Sequence, residues 1–72
     1  MSVSHTFANI VKMLETCAPG HKIRLATHSR VITWNDLVYP SFPKADKVEA
    51  GHVRKMARHF GILDCAKKAG VA

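Results

Sequence analysis

Apolar residues recur at Phe7, Ile10, Val11 and Leu14, the i, i+3, i+4, i+7 spacing that lines one face of a helix. That pattern predicts a helix over 4–17, with Ser4 as its N-cap and Pro19-Gly20 as its stop. Residues 21–26 then alternate. Ile23 and Leu25 fall on one side and Lys22 and Arg24 on the other, which predicts a half-buried strand with a basic outer face. Thr27-His28-Ser29 breaks the alternation as a turn. The β-branched and aromatic run 30–34 predicts a second strand. Asn35 and Asp36 both tolerate positive φ and suit a two-residue hairpin turn. Leu37 to Tyr39 returns as a third strand, closed by Pro40 and Pro43, which cannot donate to a ladder. A charged loop over 41–50 carries Lys44, Asp46, Lys47 and Glu49. A second helix begins near Gly51, with Val53, Met56, Ala57 and Phe60 on its apolar face and Gly61 as its C-cap. Residues 62–72 read as a tail, either mobile or holding a short third helix around Asp64 to Lys68.

The expected fold class is α+β, in the order α-β-β-β-α. Two helices on one face of a three-stranded antiparallel meander bury both apolar stripes and one sheet face. This is the order of double-stranded-RNA-binding-type domains. The 72 residues make one small domain, 1–72, with a thin core in which Met13, Met56 and Phe60 take part. Such a chain has no room for a deep pocket, so neither a large cofactor nor a small-molecule ligand is expected.

Charge sharpens the picture. Eleven Lys and Arg oppose five Asp and Glu, for a formal charge of +6, and the pI is about 9.8. A small domain this basic is suited to a polyanion, and RNA is the expected partner. Cys17 and Cys65 lie far apart, and a small secreted domain usually carries more cysteines at closer spacing. Both are expected as free thiols in a reducing compartment. Cys17 with His21 has a tolerable metal-ligand spacing, but no second ligand pair follows, so no metal is expected. No signal-like segment and no membrane-length apolar run is apparent, so the expected location is cytoplasmic and no membrane partner is expected.

Several short motifs keep a common order from Gly20 to Ile62. Thr27-His28 follows the first strand. Leu37-Val38-Tyr39-Pro40 ends the hairpin, and the loop Pro43-Lys44-Ala45-Asp46-Lys47 comes next. Gly51-His52-Val53-Arg54 opens the last helix, and Gly61-Ile62 stops it. In this order and spacing the chain resembles the HicA-type toxins, small mRNA interferases whose usual motifs are a Ser-His step, a lysine-containing loop and a Gly-x-hydrophobic-Arg helix start. It departs from them at Ala26 in place of glycine before the Ser-His step, at Ser29 in place of a second histidine or aromatic residue, and at Gly20-His21 in place of Gly-Trp. The resemblance implies a metal-independent endoribonuclease with a HicB-like antitoxin as its protein partner.

RNA cleavage needs a proton acceptor for the ribose 2′-OH, an acid for the leaving oxygen and a cation for the phosphorane. Histidine titrates in the right range for either proton transfer, and His28 at a strand-end turn is the candidate. Lys22, Arg24 and Arg30 on the adjoining strands, Lys44 and Lys47 in the loop, and Arg54, Lys55 and Arg58 on the second helix are the candidate phosphate contacts. His52, near a helix N-terminus, is a further candidate. His59 reads as part of a basic surface, and His5 and His21 carry no particular signal. Trp34 and Tyr39 are candidates for base stacking or, as is more common, for packing within the hairpin. Two alternatives remain open: a non-catalytic nucleic-acid-binding module of the same fold, and a small phage- or plasmid-encoded inhibitor that docks on a host protein.

Overall fold

The computed structural model describes residues 3–72. In chain order the elements are β1 (Ser4–Thr6), α1 (Phe7–Cys17), β2 (Lys22–Leu25), β3 (Arg30–Trp34), β4 (Leu37–Phe42), β5 (Lys47–Glu49), α2 (Ala50–Phe60) and α3 (Leu63–Lys68). The class is α+β with antiparallel sheets and three helices. The expected meander is present in the order β2-β3-β4, and a second, two-stranded sheet pairs β1 with β5.

The β2–β3–β4 sheet follows the hydrophobic pattern closely. Ile23 pairs with Ile32, while Lys22 and Arg24 pair with Thr33 and Val31 on the opposite face. Ile23 is half-buried as expected, but Leu25 overhangs the end of the sheet and is 68% exposed. Asn35 and Asp36 take φ of 52° and 65°, so the β3–β4 turn is the primed two-residue turn that matches strand twist. Trp34 pairs directly with Leu37 across it.

Beyond Tyr39 the structure departs from expectation. Pro40 does not end β4, which runs on to Phe42. The register explains why. Ile32 pairs with Tyr39 and Arg30 with Phe42, so three steps on β4 match two on β3. An extra residue on an edge strand leaves a site where proline's missing N–H costs no ladder bond.

The first turn of the first helix is also different. Residues 4–6 are extended, and Thr6 rather than Ser4 is the N-cap, its hydroxyl accepting from the Asn9 amide at 3.3 Å. The three residues pair with Lys47–Glu49, a segment expected to be loop. The ladder is extended at both ends, by Phe7 N–H to the Asp46 carbonyl at 2.8 Å and Ala50 N–H to the Val3 carbonyl at 2.7 Å. Helices α1 and α2 therefore each start directly from a strand of the small sheet.

Ile10, Met13 and Leu14 of α1, Ile32 and Phe42 of the meander, Val48 of β5, and Val53, Met56, Ala57 and Phe60 of α2 form one core. Each large side chain so buried stabilises the fold by about 1.5–3 kcal/mol. Gly61 ends α2 at φ 73°, a conformation that an L side chain resists, and Ile62 N–H closes the cap on the Ala57 carbonyl. Residues 62–72 are a packed segment. Ile62, Ala66 of α3 and Val71 are buried in the core.

The cysteine expectation is corrected. Cys17, the last residue of α1, is disulfide-bonded to Cys65 in α3, with the Cα atoms 5.8 Å apart. The folded chain brings residues 48 positions apart within bonding reach, which their separation in sequence hides. The same bond removes Cys17 from any metal-ligand role with His21. No helix among the described residues is long and apolar enough to cross a membrane.

Closing a loop of this length restricts the unfolded chain strongly. Reduction, or the pair Cys17→Ser with Cys65→Ser, is expected to lower stability by about 3–4 kcal/mol. Urea unfolding with and without a thiol reductant measures this, and coincident midpoints would show that the bond contributes nothing.

Candidate nucleic-acid interface

The β2–β3 turn is built from both sides. Ala26 N–H donates to the Ser29 carbonyl at 2.8 Å, closing the chain around Thr27 and His28. The Ser29 hydroxyl donates to the Pro40 carbonyl at 2.7 Å, fastening the turn to β4 at its bulge. His28 is exposed at the tip. The Lys44 ammonium donates to the Thr27 carbonyl at 3.3 Å, which brings a cation from a loop 17 residues away onto the His28 turn. His28 and Lys44 are thus placed together by the fold.

Arg30 is not where the sequence suggested. It begins β3 on the inward side and is only 7% exposed. One guanidinium nitrogen, Nη1, donates to the Pro43 carbonyl at 2.7 Å and to the Ala45 carbonyl at 2.9 Å. The guanidinium lies over the Phe7 ring, 3.6 Å from its centroid. Burial pulls its pKa below the ordinary arginine value, partly opposed by the charge of Asp46. Arg30 therefore leaves the set of candidate phosphate contacts and becomes a tie between β3, the start of α1 and the Lys44 loop. Its place on the adjoining strand puts Arg30 in one group with Lys22 and Arg24 in the sequence. Register separates them, because Arg24 pairs with Val31 on the outer face and Arg30 with Leu25 on the inner one.

The remaining candidates are exposed but divided. Lys22 and Arg24 lie on the sheet face opposite the core, Lys22 toward the Asn35-Asp36 turn and Arg24 toward His28. Lys47 pairs with Thr6 at the start of β5, with its side chain in solvent. Arg54, Lys55 and Arg58 are exposed on α2, whose other side packs in the core with Ile32 and Phe42. The helix group and the Lys22–Arg24 pair therefore sit on opposite sides of the sheet, and no single flat patch unites them. His52 lies in the first turn of α2, but Glu49 is the residue at the N-cap, so a carboxylate already stands where the helix dipole attracts negative charge.

Trp34, Tyr39, His59 and His21 are engaged in packing or in hydrogen bonds to the backbone. Trp34 donates its indole N–H to the Pro19 carbonyl at 2.9 Å and meets Phe60 edge-on. Tyr39 packs on Phe42 and His59. His59 donates a ring N–H to the Val38 carbonyl at 2.8 Å, tying α2 to the edge strand. His21 donates to the Ala18 carbonyl at 3.0 Å, at the end of α1. The two bonds fix the donor nitrogens as Nε2 of His59 and Nδ1 of His21. Neither tie has a sequence signature, because both acceptors are backbone carbonyls.

No family model, curated protein or solved structure matches this chain. The site therefore rests on its own geometry: an exposed imidazole on a doubly braced turn, with a lysine brought onto that turn from a distant loop.

The contrast between Arg30 and Lys44 is measurable. Arg30→Ala leaves two carbonyls without their donor and removes the stacked cation, so a loss of about 2–4 kcal/mol is expected in urea unfolding. Lys44→Ala, at the surface, is expected to stay within about 0.5 kcal/mol of wild type. Equal effects would mean that the Arg30 contacts carry no stability.

Proposed function

We propose that this chain is an RNA-binding, toxin-like domain, a metal-independent mRNA endoribonuclease of the HicA kind with His28 as its general acid–base. The observation that carries the reading is the His28 turn itself. It is exposed enough to meet a ribose-phosphate backbone, and Lys44 is hydrogen-bonded to it. In the reaction, His28 takes the proton of a ribose 2′-OH as that oxygen attacks the adjacent phosphorus. The bond from phosphorus to the 5′-oxygen breaks, and that oxygen leaves with a proton from imidazolium or solvent, giving a 2′,3′-cyclic phosphate. Lys44 offsets charge on the phosphorane, where a preorganised cation acts most strongly. Arg24, on the strand that leads to the turn, and Lys22 beyond it continue the cationic path along the backbone.

The scaffold is consistent with this reading. We take α1, β2–β4 and α2 as the α-β-β-β-α frame of double-stranded-RNA-binding-type domains, with β1, β5 and α3 as additions. Arg54, Lys55 and Arg58, with His52 and Lys47, form a second basic area that serves a longer RNA or a partner. A HicB-like antitoxin that masks the His28 turn follows from the same resemblance.

A second reading has its own support. The Ser29 hydroxyl is spent on the Pro40 carbonyl, so the polar side chain beside His28 braces the hairpin rather than assisting chemistry. The same fold would then hold RNA without cutting it.

Incubation of the protein with a long RNA in EDTA separates these readings. Wild type is expected to cleave, and His28→Ala to lose about 10²-fold or more in rate at unchanged affinity. Cleavage undiminished in His28→Ala overturns the catalytic assignment. Binding without cleavage by wild type moves the reading to the non-catalytic module, and absence of both moves it to a protein-docking inhibitor.

Affinity should also fall steeply with salt, because phosphate contacts release counterions. Charge reversal at a contacting residue, Arg24→Glu or Lys55→Glu, is expected to lower the slope of log K against log salt by about 1. Comparing the two variants shows which face of the sheet the RNA uses, and a flat salt dependence excludes both.

A further inference from the structure

We infer that Arg30 is the positioning residue of the His28–Lys44 site, a conclusion that rests on the RNA reading for its purpose but on geometry for its content. Arg30 follows His28 by two residues and opens β3, so its backbone helps to set the turn. It pairs with Leu25 across β2 and with Phe42 across β4. Its side chain reaches the other half of the site. Nη1 holds the carbonyls of Pro43 and Ala45, the residues on either side of Lys44. Two carbonyls drawn to one nitrogen curl the backbone around it, with Lys44 at the middle of the curl. From there the Lys44 ammonium lies 3.3 Å from the Thr27 carbonyl. The Phe7 ring under the guanidinium sets its plane, and Phe7 N–H binds the Asp46 carbonyl just past the curl.

Both parts of the candidate site are thus attached to one residue, the turn through its backbone and the cation through its side chain. Arg30 touches no RNA in this arrangement. A point-charge ammonium on a flexible stem cannot stack as a plane on the Phe7 ring while it donates to both carbonyls, so lysine is not an equivalent replacement. The assignment also accounts for a charged residue at a core position of a very small domain, where desolvation is costly and an apolar residue of similar size packs more easily.

The experiment is a double-mutant cycle on Arg30→Lys and Lys44→Gln with two readouts. The first is the amide spectrum of Thr27–Ser29 in the free protein. The second is the affinity for an oligoribonucleotide carrying 2′-O-methyl groups, which cannot be cleaved. Lys44→Gln is expected to weaken binding about tenfold, the value of a hydrogen bond to a charged group. Arg30→Lys alone should weaken it similarly, with the helical spectrum kept, and should add less than about twofold in the Lys44→Gln background. Both single variants should shift the Thr27–Ser29 amides.

Losses that simply add overturn the inference, since a merely structural Arg30 would act independently of Lys44. Unmoved turn amides overturn it as well. If wild type binds no RNA, the functional reading falls, and the amide spectra alone decide the positioning role. Phe7→Leu, which removes only the ring beneath the guanidinium, serves in place of Arg30→Lys if that variant fails to fold.

Discussion

Burying the Arg30 guanidinium costs desolvation, and its surroundings offset that cost by three contacts drawn from distant parts of the chain. Phe7 starts α1, while Pro43 and Ala45 lie in the loop between β4 and β5. Held together, these segments keep β5 beside β1, because Phe7 and Asp46 form the end of that ladder. The pairing of β1 with β5 then fixes where both long helices start. The position of α1 and α2 over the meander depends in this way on one side chain at the first position of β3.

The chain needs such ties because its core is thin. A domain of this size buries only about 60% of the surface its unfolded chain exposes, leaving little margin over conformational entropy. The structure compensates with links between segments remote in sequence: the small sheet, the Arg30 contacts, the His59 bond to β4 and the Cys17–Cys65 disulfide. Each restricts a different part. The disulfide holds α3 against α1, and His59 holds α2 against the edge strand, where packing alone would leave β4 least secured.

The elements legible in the sequence were those whose cause is local. Asn35-Asp36 specified its turn through tolerance of positive φ, Gly61 specified a helix end, and the spacing Val53, Met56, Ala57, Phe60 specified the buried face of α2. What was missed depends on partners far along the chain. Ser4 and Thr6 are both suitable caps, and only the pairing of 4–6 with 47–49 makes the choice. Pro40 ends a strand by local rules but survives here because β4 lies at the sheet edge and bulges. Cys17 and Cys65 carry no spacing signal at all. For the candidate site, His28 at an exposed turn and the outward face of Lys22 and Arg24 were legible from alternation. The inward turn of Arg30 was not, since the Thr27–Ser29 break resets the phase between β2 and β3.

The division of the basic residues then bears on how a polyanion could be held. A positive net charge attracts RNA from any direction, but contact requires cations on a surface the backbone can follow. Lys22 and Arg24 occupy one face of the sheet and the α2 cations the far side of the helix layer. The His28 turn and the Lys44 loop lie at the strand ends rather than within either face. An RNA passing there keeps His28 and Lys44 in reach, and continues along Arg24 and Lys22 without crossing the core. The α2 cations are reached only by a strand that bends around the domain or by a second molecule. On the proposed reading, the chemistry and the first phosphate contacts fall to the hairpin end, and α2 is a surface whose occupant need not be the same RNA.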